Sequence, residues 1–152
     1  MKIRVIYDTS FGNTGQVATA IAGALTGDVE ALRVADCDPS RLATVDLLFV
    51  GSPTLGGKPT KAMQALLESL TVSSLGKARA AAFDTRMSAK WVGIFGYAAG
   101  AISSGLQAKG AAMLAPPEAF FVKGRTGPLK DGELERAAAW AKAVFESASR
   151  SH

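Results

Sequence analysis

The sequence has 152 residues, of which 48% are hydrophobic and 20% charged, so it can bury the core of one domain. These proportions exclude a disordered chain, and the single cysteine, Cys37, excludes a disulfide-stapled miniprotein. Lys and Arg number 17 against 13 Asp and Glu, which gives a net charge of +4. This excess is compatible with nucleic acid, acidic membranes or acidic proteins as partners and selects none of them.

The N-terminus runs directly into an apolar segment and lacks the anatomy of a signal peptide. No uninterrupted apolar run approaches the roughly 20 residues that a membrane span requires. We therefore expect one domain over residues 1–152, located in the cytoplasm and without membrane insertion. Cys37 lies in an apolar segment, and we expect it to be a small core residue.

Short apolar runs alternate with helical patterns through the first half of the chain. Residues Ile3–Tyr7 predict a first strand, Val29–Val34 a second, and the apolar run Asp46–Val50 a central strand buried on both faces. Between the first two strands, a stripe at helical spacing ends before Gly27 and comprises Val17, Ala20, Ile21, Ala24 and Leu25.

The same alternation continues through the second half. A helix is predicted after Pro59, which suits an early helical position, with Met63, Leu66, Leu67 and Leu70 on its apolar face. Arg79–Phe83 predicts a fourth strand, because this Ala-rich run lies between a helix and a Gly-rich stretch.

The predicted C-terminal elements are a helix over Ala101–Lys109, which ends at Gly110, and a fifth strand within Ala111–Val122. Pro116 and Pro117 should make that strand irregular. Asp131 is predicted to cap a last helix, whose inner face comprises Leu134, Ala138, Ala141, Phe145 and Ala148.

Strand–helix alternation throughout predicts a three-layer, doubly wound α/β fold with a parallel sheet between helices. In such sheets ligands bind beyond the carboxyl ends of the strands, near the point where the strand order reverses. The loops after the first, third and fourth strands are therefore the candidate binding segments.

The first of these loops, residues 8–15, combines hydroxyl groups with glycine. Thr9, Ser10 and Thr14 offer O–H donors, Gly12 permits close backbone approach, and a helix N-terminus follows. Because the loop has no Lys or Arg, it suits one phosphate held by hydrogen bonds. The alternative is a Ser/Thr-rich helix cap formed by Asn13 or Thr14, but the length and clustering of the loop favour the phosphate site.

The second loop, residues 51–59, superficially resembles a nucleotide P-loop. Counting back from Gly57 and Lys58, the required leading glycine is replaced by Ser52, and Pro59 stands where the magnesium-binding hydroxyl belongs. The P-loop interpretation therefore fails. The backbone groups of this loop could meet a planar heterocycle, or the glycines could simply form turns.

The third segment follows the fourth strand and contains Asp84 and Arg86. These side chains either pair with each other or frame the edge of a ligand. Elsewhere, the scattered cations are interpreted as solvated surface rather than a nucleic-acid stripe, because no aromatic platform accompanies Lys58, Lys61, Lys123, Arg125 or Lys130. His152 is the single histidine, so no histidine metal site or triad is expected.

The first loop resembles the phosphate-binding loop of the flavodoxin family, Thr/Ser-x-Thr-Gly-x-Thr. Thr9, Ser10, Gly12 and Thr14 match that pattern, whereas Phe11 stands where the family usually has Thr. Residues 51–57 look like the isoalloxazine loop of flavodoxin-like proteins, and residues 124–135 are similar to the segment that enters the family's last helix. The resemblance covers essentially the whole chain, with its elements in order.

This resemblance implies an FMN-binding, five-stranded parallel sheet of order 2-1-3-4-5. It implies that residues 9–14 hold the FMN phosphate, that residues 53–57 flank the isoalloxazine ring, and that residues 84–86 approach its pyrimidine edge and the ribityl chain. The implied cofactor-binding residues are Thr9, Ser10, Phe11, Gly12, Asn13, Thr14, Pro53, Thr54, Leu55, Gly56, Gly57, Asp84, Thr85 and Arg86.

The sequence departs from the family at the ring-stacking positions. Leu55 stands where a Trp is common, and no aromatic residue directly follows Phe83; Trp91, Phe95 and Tyr97 come later. The favoured function is FMN-based electron transfer with a partner protein. The alternatives are an FMN-dependent oxidoreductase acting on a small substrate, such as a quinone reductase or a protoporphyrinogen-oxidase-like enzyme, and a flavodoxin-fold interaction module without flavin.

The charge bears on the partner. Flavodoxins are typically acidic and dock on basic proteins, whereas this chain has a pI near 9.4. A redox partner protein, if there is one, is therefore expected to be acidic.

Overall fold

The computed structural model describes residues 1–88 and 97–150, and the strands of this part form one parallel sheet. The strands are β1 (Lys2–Tyr7), β2 (Asp28–Arg33), β3 (Leu47–Pro53), β4 (Arg79–Met87), β5 (Ala112–Met113) and β6 (Glu118–Val122). The α-helices are α1 (Asn13–Gly23), α2 (Lys61–Ser69), α3 (Val72–Leu75), α4 (Ala98–Ala108) and α5 (Glu133–Arg150). Two short 3-10 helices, Val34–Asp36 and Pro39–Thr44, connect β2 to β3.

The strand order confirms the predicted 2-1-3-4-5 arrangement. β1 lies between β2 and β3, and β4 pairs with β3 on the far side. The fifth position is shared, because β5 pairs with the beginning of β4 and β6 with its end. The interruption at residues 114–117 coincides with Pro116 and Pro117, as their inability to donate to the ladder predicts. The chain order reverses between β1 and β3, where the binding cavity is expected.

Each face of the sheet is covered by its own apolar layer. Ile3, Val5 and Phe49 point towards α1 and α5, whereas Ile6, Leu48 and Val50 pack with residues of α2 and α4. On the first face the Trp140 ring of α5 makes edge contacts with the Phe49, Phe83 and Phe120 rings, at centroid distances of 5.5–6.1 Å. These contacts hold the carboxyl half of β4 and β6 against α5.

Several element boundaries differ from the predictions. β4 continues to Met87 instead of ending at Phe83, because its end pairs with β6. Pro59 lies outside α2, whose N-cap is Thr60. The prediction that Asp131 caps the last helix is wrong, since α5 begins at Glu133 and the Asp131 side chain is fully exposed.

The buried face of α5 is also rotated from the predicted one. Ala137, Ala141, Val144 and Ala148 are buried, with Trp140 packed beside them, whereas Leu134 is 38% exposed. The rotation has a polar cause. Glu133 is buried, accepts a hydrogen bond from the Phe121 N–H, and pairs with Arg136. The Arg136 guanidinium holds the pKa of Glu133 below its ordinary value.

Cys37 is half-buried and packs against the core layer on the α2 side, so it lies at the edge of the core and not within it as predicted. Burial, reinforced by the neighbouring Asp38, raises the pKa of the Cys37 thiol. The thiol is therefore protonated and a weak nucleophile at neutral pH.

Within residues 1–88 and 97–150, no helix is long and apolar enough to span a membrane. The same part of the chain has no cluster of three or more His, Cys, Asp or Glu side chains able to hold a metal ion.

Candidate functional site

A cavity of about 570 Å³ opens at the carboxyl edge of the sheet, above β1, β3 and β4. Loops from several strands meet around it. It is lined by Thr9, Ser10, Phe11, Asn13, Thr14, Pro53, Thr54, Leu55, Gly56, Gly57, Thr85, Arg86, Met87, Val122 and Arg125. The structure thus brings together all of the predicted site residues except Gly12 and Asp84, which do not line the cavity.

The loop after β1 is held in a compact turn. The Thr9 Oγ1 atom accepts a hydrogen bond from the Gly12 N–H at 3.0 Å, and Gly12 immediately precedes α1 with φ of 92°. A side chain at position 12 would be strained in this left-handed conformation, which explains why glycine is needed there. Gly12 therefore shapes the loop through its backbone.

Several backbone N–H groups of this loop have no acceptor among the described residues. They belong to Ser10, Phe11, Asn13, Thr14 and Gly15, of which the last three form the first turn of α1. Neither Asn13 nor Thr14 caps the helix, since its N-cap is Gly12 and no side chain accepts from the first turn. The helix-cap interpretation is therefore wrong, and the geometry suits an anion.

Thr14 links the loop to the centre of the sheet. Its side chain is 1% exposed, and its Oγ1 lies 2.8 Å from the Oγ1 of Thr85 on β4. One hydroxyl of this pair donates to the other, so the second still has a proton to donate. The pair is therefore a hydroxyl donor fixed at the base of the cavity.

Asp8 is a positioning residue that the sequence did not single out as part of the site. Its buried carboxylate accepts hydrogen bonds from the Thr9 N–H at 2.9 Å, Arg33 Nε at 3.1 Å and Thr60 Oγ1 at 2.6 Å. Thr60 in turn caps α2, and Arg33 also donates to the Thr9 carbonyl. Asp8 thus joins the loop after β1 to the end of β2 and the start of α2.

The loop after β3 forms the opposite wall. Leu55 and Lys58 form an antiparallel bridge that closes a tight turn over Gly56 and Gly57, both with positive φ. Thr54 anchors the turn, since its N–H donates to the Thr85 carbonyl and its Oγ1 accepts from the Ala98 N–H. Leu55 and Phe11 both line the cavity and stay largely exposed, at 47% and 54%.

The predicted segment 84–86 belongs to β4 itself, and its side chains alternate across the sheet. Asp84 is fully buried and pairs with Arg86 through two hydrogen bonds, of 2.9 and 2.8 Å. Both interpretations of this segment therefore hold in part: the two side chains pair, and Arg86 also lines the cavity. Asp84 therefore holds the Arg86 guanidinium in position and does not itself line the cavity.

Three cavity residues were not predicted from the sequence: Met87, Val122 and Arg125. Val122 ends β6, and Arg125 lies in the loop after it, which is also at the carboxyl edge of the sheet. That loop is tied to the first loop, because Asn13 donates to the Thr126 carbonyl, and a Cβ on Gly127 would lie 2.6 Å from the Asn13 side chain. Considering the loop after the fifth strand would have found Arg125.

Of the aromatic residues considered as ring-stacking candidates, Trp91 and Phe95 lie outside the described residues. Tyr97 packs against Arg86, whose Cζ atom is 3.3 Å from the Tyr97 ring centroid. In the described part of the chain, the exposed aromatic group of the cavity is therefore Phe11.

Comparison with known proteins identifies the family. Residues 5–140 match the model of the flavodoxin family. The chain belongs to the flavodoxin family. Flavodoxins bind FMN and transfer electrons to partner proteins, so the predicted cofactor is that of the family. No curated protein is significantly similar to the chain.

Solved structures of flavodoxins share the fold. The chain superposes on an archaeal flavodoxin with a TM-score of 0.79 at 21% identity, covering 98% of this chain and 99% of that one. For oxidised flavodoxin 1 of Bacillus cereus the TM-score is 0.78 at 22% identity, covering 96% and 98%. Rubredoxin oxygen:oxidoreductase of Desulfovibrio gigas contains a similar region, with a TM-score of 0.73 at 17% identity, covering 98% of this chain and 36% of that one.

The cavity has the chemistry that FMN requires. At one side, fixed hydroxyls and N–H groups without an acceptor in the described part of the chain suit a phosphate. The apolar wall of Phe11, Pro53, Leu55, Met87 and Val122 suits a flat aromatic ring. Its volume also lies in the range typical of small-molecule sites, about 300–1,000 Å³. The residues present therefore fit the family's cofactor.

Proposed function

We propose that the chain binds FMN in this cavity and exchanges electrons with another protein. The observation that carries the proposal is the loop of residues 9–14, in which four N–H groups lack acceptors among the described residues. They belong to Ser10, Phe11, Asn13 and Thr14, and all four residues line a cavity with apolar walls. Membership of the flavodoxin family supports the same cofactor and the same role. That the protein is located in the cytoplasm stays a prediction.

The proposed roles follow the arrangement of the loops. Residues 9–14 hold the phosphate through backbone N–H groups and through the Thr14–Thr85 hydroxyl pair. Residues 53–57 flank one side of the ring, and Thr85 and Arg86 approach from β4. Asp84 acts through Arg86, and Gly12 acts through the shape of the loop.

When bound, FMN supplies the redox chemistry, and the protein binds it, orients it and shapes its electrostatic surroundings. Electron transfer needs no side-chain acid or base. Phe11 and Leu55 shield the cavity mouth from water and expose apolar surface that a partner can cover. The apolar mouth thus places the partner close to the redox centre.

The first test is the spectrum of the purified protein, alone and with added FMN. We expect flavin absorbance and strong quenching of flavin fluorescence at a 1:1 ratio. Riboflavin, which lacks the phosphate, should bind more weakly because the loop of residues 9–14 would have no anion to hold. No spectral change at excess FMN would refute both the carrier and the flavin-enzyme hypotheses and leave the interaction module.

We infer that the redox partner is acidic, because cations surround the proposed site. Lys58 is exposed beside the cavity and Arg125 is exposed in its lining, and neither has a carboxylate partner among the described residues. The half-exposed Arg33 and Lys123 side chains nearby each pair with one carboxylate. The buried carboxylates beside these loops, Asp8 and Asp84, are already paired with Arg33 and Arg86, and the exposed Asp131 is paired with Lys123. A partner with an acidic docking face complements this rim.

Electron transfer with an acidic [2Fe–2S] ferredoxin should therefore slow as salt is added, because salt screens the attraction. We expect the variant Lys58→Glu/Arg125→Glu to lower the low-salt rate constant by about tenfold, within the range known for electrostatic steering. Stopped-flow kinetics would measure it. The matched control, Lys142→Glu/Arg150→Glu, reverses two exposed charges outside the cavity.

The opposite trend is expected with a basic c-type cytochrome, whose rate should increase as salt is added. If the ferredoxin rate is unaffected by salt and by reversal of the rim charges, the partner hypothesis is wrong while FMN binding stands.

The small-substrate alternative depends on a segment that the structure leaves largely undescribed. Such an enzyme would need a quinone or nicotinamide pocket beside the ring, and the sequence from Lys90 to Gly100 is the candidate segment for it. Residues 89–96 lie outside the described part. Steady consumption of NADPH with a quinone and no added protein would favour that alternative over the electron carrier.

A further inference from the structure

Arg86 presents a fixed positive charge in the wall of the proposed FMN site. Its guanidinium is bound in a two-point fork by Asp84, with distances of 2.9 and 2.8 Å, and one face packs on the Tyr97 ring. The Arg86 side chain is 14% exposed, and the residue lines the cavity. The contacts on both sides leave it little freedom to move away.

The charge of Asp84 is offset on the side away from the cavity. The Asp84 Oδ2 atom also accepts a hydrogen bond of 2.9 Å from the Ala99 N–H, in the first turn of α4. The positive N-terminal end of α4 and the Arg86 guanidinium therefore both offset the negative charge of the Asp84 carboxylate. The Arg86 Nη1 atom has no hydrogen-bond partner among the described residues, so the pair offers its cationic end to a ligand.

Arg86 does not belong to the phosphate-binding side of the site. Adjacent residues of β4 point to opposite faces of the sheet. Thr85 points to the α1 side, where it meets Thr14 of the phosphate loop, and Arg86 points to the α4 side. A ligand that places its phosphate on the α1 N-terminus therefore presents a different part of itself to Arg86.

We propose that Arg86 makes the site favour the reduced over the oxidised cofactor and so raises the midpoint potential of bound FMN. This inference rests on the proposed function. Taking up two electrons and one proton adds one negative charge to the flavin ring system, the electrons coming from the redox partner or a chemical reductant. A fixed, largely buried cation stabilises that added charge more strongly than an exposed one does.

The test removes the cation in two ways. Arg86→Gln removes it alone, and Asp84→Asn/Arg86→Gln removes both charges while keeping polar side chains that can hydrogen-bond to each other. Arg86→Lys keeps the charge. Lys61→Gln, an exposed residue at the start of α2 that does not line the cavity, is the matched control.

The measurements are FMN affinity by fluorescence quenching, midpoint potential by dithionite titration against indicator dyes, and urea unfolding of each variant. We expect the ratio of affinities for reduced and oxidised FMN to fall at least tenfold in both Gln-containing variants. That change equals about 30 mV for a two-electron couple. Arg86→Lys should retain most of the potential, and Lys61→Gln should leave it unchanged.

A folded Gln-containing variant with the potential of the unmodified protein would overturn the inference, and Arg86 would then be structural only. If Arg86 were only structural, its loss would lower the stability of the protein and would weaken the binding of oxidised and reduced FMN by the same factor. The midpoint potential of bound FMN would then not change. If the unmodified protein does not bind FMN, the proposed function itself fails, and the two failures are thereby distinguished. Since either Gln-containing variant removes the cation, loss of folding in one leaves the other as the test.

Discussion

Replacing Thr14 by Glu is expected to lower FMN affinity by about three orders of magnitude. Thr14 is buried at the start of α1, where its hydroxyl meets Thr85 and its N–H has no acceptor among the described residues. A carboxylate about 4 Å from the phosphate, in surroundings of intermediate polarity, costs about 4 kcal/mol. Titration of the variant with FMN, followed by fluorescence quenching, measures the loss.

Two controls separate charge from folding in that experiment. Thr19→Glu adds the same charge to an exposed position of the same helix and should change FMN affinity little. Thr14→Val removes the hydroxyl without adding charge and should weaken binding far less than Thr14→Glu does. Urea unfolding reports whether each variant is folded. A folded Thr14→Glu protein that binds FMN as the unmodified protein does would place the phosphate elsewhere.

Asp8→Ala is expected to lower the free energy of unfolding by about 3 kcal/mol. The Asp8 carboxylate accepts three hydrogen bonds, and the loss of each costs about 1 kcal/mol. The Thr9 N–H, the Arg33 Nε and the Thr60 hydroxyl all lose their acceptor. Arg33 can turn into solvent, since its side chain is half-exposed, but the Thr60 hydroxyl is buried. FMN affinity should also fall, because Asp8 holds the first residue of the phosphate loop. Urea unfolding and FMN titration measure the two effects.

Asp28→Ala provides the comparison for this variant. Asp28 is also a carboxylate paired with an arginine, Arg4, but its side chain is 64% exposed, so its loss should cost less than about 1 kcal/mol. Asp8→Asn, which keeps one acceptor oxygen, should lie between the two. Equal stability of the Asp8→Ala and Asp28→Ala proteins would show that Asp8 does not join the three segments.

The layer architecture could be predicted because its signals are local and strong. A fully apolar run such as Leu47–Val50 has to be buried on both faces, and alternation with helices then requires a parallel sheet. Boundaries that depend on distant partners could not be predicted. β4 extends past Phe83 because β6 pairs with it, and the face of α5 is set by the bonds of Glu133 to Phe121 and Arg136.

The loops of the site were predictable for a similar reason. Hydroxyl groups and glycines between a strand and a helix mark the loop of residues 9–14, and the family resemblance drew attention to residues 53–57. The pairing of Asp84 with Arg86 is local and was one of the two predicted interpretations, but whether Asp84 faced the cavity was not predictable, because its contact with the start of α4 is a tertiary feature. Asp8 was missed because its role depends on Arg33 and Thr60, which are distant in sequence.

The most direct test of the central claim is an amide ¹H–¹⁵N spectrum of the protein recorded as FMN is added. If FMN binds as proposed, the largest changes belong to the amides of Ser10, Phe11, Asn13, Thr14 and Gly15, followed by those of Gly56 and Gly57. A separate cavity, lined by charged residues and by Cys37 and Leu42, lies between β1, β2 and the two 3-10 helices. Changes that cluster there, or no changes at all with excess FMN, would contradict the proposed site.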